Sequence, residues 1–147
     1  MNTKKLSIGG ITGGVIYFIL GWLVYGMLLL DFMQNNSGTA AGVSRGEDIV
    51  LWAVALGNLA LGFLLTYILL RAGISSFVSG FATGAIIGLL VSVSIDLIMY
   101  GTTNIMNTSA LAVDVVAFTL ISAITGGIIG LVIGKDGNSS SVPDAVL

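Results

Sequence analysis

Residues 74–100 read ISSFVSGFATGAIIGLLVSVSIDLIMY. The stretch carries one charge, Asp96, and is long enough to cross a hydrocarbon layer, which takes about 20 mostly apolar residues at 1.5 Å rise each. Its small residues return at every fourth place: Ser76, Gly80, Gly84, Gly88 and Ser92. On a helix of 3.6 residues per turn, steps of four drift by about 40° each, so the ridge winds and a partner follows only part of it at an angled crossing. Lipid gives helices no reason to associate except close packing, and small residues are what let two backbones approach. One stretch therefore sets the solvent, the secondary structure and the position of an acid inside the membrane.

Three further stretches match it, at 6–30, 49–70 and 110–134. The last repeats the small-residue step with Ser122, Gly126, Gly130 and Gly134, and the first carries Gly9/Gly13 and Gly10/Gly14. The fragment Ile11-Thr12-Gly13-Gly14 recurs as Ile124-Thr125-Gly126-Gly127, as small residues do in packed membrane helices. The expected fold class is all-α: a bundle of four transmembrane helices with antiparallel neighbours and glycine-rich packing. It forms one membrane domain over residues 1–135, and a disordered cytoplasmic tail is expected over 136–147. Three glycine-lined helices exceed what one closed bundle needs, which points to a homo-oligomer or an unlike membrane subunit as partner, besides the lipid bilayer.

Composition agrees. Of 147 residues, 56% are hydrophobic and 8% charged, with a mean hydropathy of +1.07. A soluble domain carries about 25% charged residues. The net charge of −2 and the lack of a basic cluster argue against a nucleic-acid partner. With no cysteine and no histidine, disulfides, thiolate chemistry, zinc thiolate centres and histidine-ligated haem are excluded, and no cofactor or metal site is expected. Lys4 and Lys5 precede an apolar run too long for a signal peptide, so that run is expected to be an uncleaved first span of a bacterial inner-membrane protein.

Short cytoplasmic loops are enriched in Lys and Arg. Lys4, Lys5, Arg71 and Lys135 fall on one side of the four spans and Arg45 alone on the other, which places both termini inside. The 31–48 loop and the 101–109 turn then face outward. Ser44-Arg45-Gly46-Glu47 has the spacing of a capping box and predicts a second helix starting near Arg45.

Asp96 and Asp114 are the only charged residues inside the four stretches. Charge at a span centre costs about 2.5–3.5 kcal/mol on insertion scales, so intramembrane acids are functional candidates. With Gly101 ending the third helix and Ser109 capping the fourth, each acid lies about 7 Å inside its helix end. The two helices are antiparallel, so both carboxyl groups come to one depth in the outer leaflet. If close, two such acids hold one proton between them, and the helix dipole assigns it to Asp96. Tyr25 and Tyr100 fall at similar depth, with Thr102 and Asn104 in the turn above. Arg45, the one outer cation, could instead sit over the pair. Asn58, near the midplane of the second span, is expected to hydrogen-bond between helices. Trp52 suits the outer aromatic belt, and Trp22 lies deeper.

The segment Ile95-Asp96-Leu97-Ile98-Met99-Tyr100-Gly101-Thr102, followed by Val113-Asp114, resembles a bacterial family of small four-helix membrane proteins catalogued only as a domain of unknown function. In that family an Asp-Leu ends the third helix, a small residue and Thr follow, and a Val-Asp opens the fourth. Gly21-Trp22-Leu23-Val24-Tyr25-Gly26 with Asp31-Phe32 is similar to the aromatic end of the first helix in related families. Met99 stands where Asn is common, the turn lacks Trp-Pro, and Phe118 replaces a Gly. The resemblance implies a four-helix fold in which Asp96 and Asp114 belong together, and implies no activity.

Three functions compete. A structural, accessory or assembly subunit without catalysis would use the glycine ridges as seams and the acids as pins. A proton- or cation-linked transporter or channel for a small solute would need a homo-oligomer to build its path, and no proline breaks any span. A lipid-modifying enzyme is the weakest, since no histidine, cysteine or embedded base accompanies the acids. The first reading is preferred.

Overall fold

The computed structural model describes residues 2–45 and 48–138. Among these the chain is helical, with α1 (Thr3–Leu23), α2 (Leu30–Asn35), α3 (Leu51–Arg71), α4 (Phe77–Thr102) and α5 (Thr108–Asn138). Four segments are long and apolar enough to cross a membrane: Thr3–Leu28, Leu51–Arg71, Phe77–Thr102 and Thr108–Lys135.

The caps follow from side chains that satisfy the free amides at helix starts. Asn2 accepts from the Lys5 amide at 3.3 Å, Ser76 from Ser79 at 3.3 Å, and Asn107 from Ala110 at 2.9 Å. Asn107, not Ser109, therefore opens α5. Gly101 does not end α4 either. It lies within the helix, which stops when Thr103 turns extended at φ −139°, ψ 167°. Nor does Ser44 open the second membrane helix, which begins at Leu51 with no side-chain cap. Gly46 and Glu47 of the expected capping box lie outside the described residues. At its far end α5 runs on through Asn138, and the rest of the expected tail, 139–147, is likewise outside them.

Between α3 and α4 the chain reverses in five residues. Gly73 sits at φ +69°, the left-handed region that a side chain disfavours, while its amide bonds Leu70 O at 3.3 Å and the Ile74 amide bonds Leu69 O at 2.9 Å. This pair of bonds is the Schellman ending of a helix, and Ile74 packs on the core that holds Leu69.

Two antiparallel helix pairs result. In the α4/α5 pair a Cβ on Gly80 or Gly126 would overlap the other's carbonyl oxygen, and one on Gly84 would overlap the Ser122 carbonyl. Gly130 and Gly134 meet the carbonyls of Ser76 and Ser75, and Gly88 meets the Ser122 side chain. In the α1/α3 pair, a Cβ on Gly13 would lie 3.0 Å from Gly62 Cα and one on Gly14 2.7 Å from Leu59 Cα. The glycine faces are thus occupied within the chain, so the ridges do not by themselves call for a second copy.

Helix α5 joins the pairs. It packs on α4 and on α1, while α3 meets α5 and α4 only slightly. Half of its apolar stretch is buried, against 17–22% in the other three. The core lies where α1, α3 and α5 converge, around Tyr17, Leu65, Leu69, Ile121, Ile129 and Ile133. There the Tyr17 hydroxyl donates to Ser122 Oγ at 3.0 Å. Lys5 Nζ donates to the Ile133 carbonyl at 2.8 Å, so the start of α1 lies beside the end of α5.

At the opposite end, the first span is less regular than an unbroken helix over 6–30. After Leu23 it widens into one π-helical turn, Val24–Leu28, closed by the Leu29 amide on Val24 O at 2.7 Å, and then restarts as α2. The segment after α2 pairs with the α4–α5 turn: Gly38 N bonds Ile105 O at 3.1 Å, Ala40 N bonds Asn104 O at 3.0 Å, and Asn107 N bonds Asn36 O at 3.1 Å.

The seam makes a contrast testable. Gly84→Ala, blocked by backbone, should lower stability by about 1–3 kcal/mol. Gly57→Ala, with nothing within 4 Å of its added carbon, should stay within about 0.5 kcal/mol of the parent. Thermal unfolding in detergent followed by circular dichroism separates the two, and equal behaviour would refute the seam.

Candidate functional site

Antiparallel packing of α4 on α5 fixes which residues face each other. Gly84 packs on Gly126 and Gly88 on Ser122, and continuing that register brings Asp96 opposite Asp114. Each acid lies six residues from its helix end, Thr102 or Thr108, so both sit about 9 Å deep at 1.5 Å per residue.

The two carboxyl groups do come together. Asp96 is 6% exposed and accepts from Ser92 Oγ, one turn earlier, at 2.6 Å. Asp114 interacts with Asp96 across the seam and with the Tyr25 hydroxyl of the first span. A cavity of about 150 Å³ adjoins the pair, lined by Val91, Ser92, Ile95, Asp96, Asp114 and Phe118. The chain of contacts Ser92–Asp96–Asp114–Tyr25 therefore links α4, α5 and the first span.

Tyr25 reaches Asp114 from the π-helical turn. An i+5 turn inserts one residue into the helical repeat, so every side chain beyond it points about 100° away from its regular direction.

Other expected members lie elsewhere. Tyr100 bonds Thr108 at 3.2 Å between their hydroxyls and braces the ends of α4 and α5. Thr102 donates to Ile98 O of its own helix at 2.7 Å. Asn104 is exposed and contributes its backbone carbonyl to the loop pairing. Arg45 is exposed and does not sit over the acids: the groups acting on Asp114 are Tyr25 and Asp96. Asn58 is not interhelical. Its amide donates to Val54 O at 2.8 Å, one turn back in α3, because no acceptor on another helix faces it.

Asn58 borders a second feature, an apolar cleft of about 360 Å³ between the first span and α3, with α5 as its floor. Tyr17, Phe18, Trp22, Tyr25 and Phe118 line it. Tyr17 and Phe118 stack with centroids 6.1 Å apart. Phe118 belongs to both cavities, and Tyr25 stands in the wall between the cleft and Asp114. The sequence reading missed Ser92 as a partner of Asp96, although four-residue spacing on one helix is the signal for such a bond. It also missed Phe118, one turn after Asp114.

Among the described residues no group of three or more acidic, histidine or cysteine side chains could hold a metal ion. No family model, no curated protein and no solved structure matches this chain. Its function therefore has to be argued from the cluster itself.

A double-mutant cycle tests the geometry. Tyr25→Phe and Asp114→Asn should couple by about 0.6–2 kcal/mol in detergent unfolding, the range of interhelical hydrogen bonds in membranes. Tyr100→Phe with Asp114→Asn should be additive. Coupling confined to the second pair would place Tyr25 away from the acids.

Proposed function

We propose that this chain is a non-catalytic integral membrane protein of the bacterial cytoplasmic membrane, with both termini inside, serving as a structural or assembly subunit. One observation carries the reading: the acid pair is closed on groups of the same chain. Ser92 bonds Asp96, the Tyr25 hydroxyl interacts with Asp114, and no buried side-chain polar atom among the described residues lacks a partner. An acid meant for proton abstraction or metal chemistry needs a substrate-facing oxygen and a second reactive group. Here the acids join three helices.

Transport is the weaker reading because the interior offers no path. Both helix pairs approach to backbone contact along their glycines, so passage would need a second copy to supply a wall. The resemblance to small four-helix proteins of unknown function suits either reading. Orientation is supported by the charges. Lys5 lies beside the end of α5, which carries Lys135, and the antiparallel pairing puts Arg71 at that same end. Ser37 and Met106 pair at the other.

The absence of cysteine makes two tests direct. Ser37→Cys should react with a membrane-impermeant maleimide in intact cells and Thr3→Cys only after permeabilisation; the reverse pattern would invert the topology. Protein extracted in mild detergent should run as an assembly larger than its 15.1 kDa chain, and liposomes holding it should pass no more protons or alkali cations than empty ones. A flux abolished by Asp96→Asn would replace this reading with transport.

A further inference from the structure

The cleft beside the acid cluster is too particular to be a packing fault. The chain has two tryptophans, four tyrosines and six phenylalanines. Trp22, Tyr17, Tyr25, Phe18 and Phe118 converge on this one space. Its rim is open to the side, since Trp22 and Leu51 are each 63% exposed. Aromatic faces carry negative quadrupole density and attract cations, most strongly once those cations have left water.

Charge points the same way. Behind Tyr25 lies Asp114, with Asp96 beyond it. The acids have hydrogen-bond donors, Ser92 and Tyr25, but no cation acts on Asp114. Lys5, Arg71 and Lys135 belong to the other end of the molecule, and Arg45 is exposed and outside the cluster. The site thus combines an apolar wall, several aromatic faces and an uncompensated negative charge at membrane depth. Neutral acyl chains would be served by the apolar wall alone, and small hydrated ions would gain nothing from the rings.

We propose that the cleft between the first span and α3 binds a lipophilic organic cation, its charge held over the rings of Trp22 and Tyr25 and balanced by the Asp96–Asp114 pair. The ligand enters sideways from the bilayer past Trp22. This goes beyond the structural role proposed above and does not rest on it, for a subunit that fastens helices can carry such a site or lack it.

Trp22 supplies the signal. In a Trp52→Phe background it is the sole tryptophan, and tetraphenylphosphonium titrated into the detergent-solubilised full chain should quench it saturably. The neutral, similarly shaped triphenylphosphine oxide should bind at least about tenfold more weakly, a ratio equal to 1.4 kcal/mol. Asp114→Asn should weaken the cation by about tenfold or more, with Tyr100→Phe unchanged. Should Asp114→Asn fail to fold, Val54→Trp in the otherwise unchanged chain fills the cleft from α3 and should abolish binding measured by equilibrium dialysis. Equal binding of the neutral compound, or indifference to both Asp114→Asn and Val54→Trp, overturns the proposal. So does displacement of the probe by phosphatidylcholine at equal concentration, which would assign the cleft to a lipid headgroup.

Discussion

Backbone contact along the glycines of α4 and α5 is the constraint from which the rest of the molecule follows. In water two helices are driven together by the area they hide. In lipid their outer and inner faces are almost equally apolar, so that drive vanishes and only the fit remains. A Cβ at Gly80, Gly84, Gly126 or Gly130 would run into a backbone carbonyl oxygen of the partner helix. These positions therefore hold α4 and α5 in one register. A slip of one residue would place side chains into carbonyls all along the seam.

That register decides the chemistry. Once Gly84 lies on Gly126 and Gly88 on Ser122, the acid three turns farther along α4 faces the acid three turns back along α5. Neither carboxyl group can turn to lipid without leaving its partner in an apolar medium, where an unmatched polar group is expensive. Tyr25 then closes the cluster from the first span. Its contact is one of few polar links between α1 and α5, along with Tyr17 to Ser122 and Lys5 to Ile133. These three are spread along the full length of the α1–α5 contact, so α1 is fixed in rotation and not merely in distance.

Much of this was legible in the sequence because it follows from counting. Span lengths need only hydropathy, and the common depth of Asp96 and Asp114 needs only a short turn between antiparallel helices. The separation of Lys5, Arg71 and Lys135 from Arg45 comes from span parity alone. What could not be counted was decided by tertiary contacts. Asn107 displaced Ser109 as the cap of α5 while its amide also reaches Asn36 Oδ1 at 3.1 Å, a residue 71 positions away. Gly101 stayed helical because no left-handed turn is needed where Thr103 can extend toward the neighbouring loop. Asn58 turned back to Val54 because α3 presents it to a cleft and not to a helix. The small-residue steps were visible, yet nothing in them distinguishes a seam within one chain from a seam between copies.

The π-helical turn is where sequence logic was least able to reach, and it is also where the cluster and the cleft meet. Glycines relieve it: Gly21, ahead of the turn, has nothing near its missing carbon, and Gly26, within the turn, meets only the Trp22 ring. A widened turn is costly in a packed helix and cheap where side chains are sparse, so the irregularity settles here rather than at Gly9–Gly14, which α3 holds tightly. Tyr25, within the turn, and Trp22, just before it, both line the cleft, and Tyr25 also approaches Asp114. Thus the end of the first span serves both a polar contact on α5 and an apolar wall toward α3.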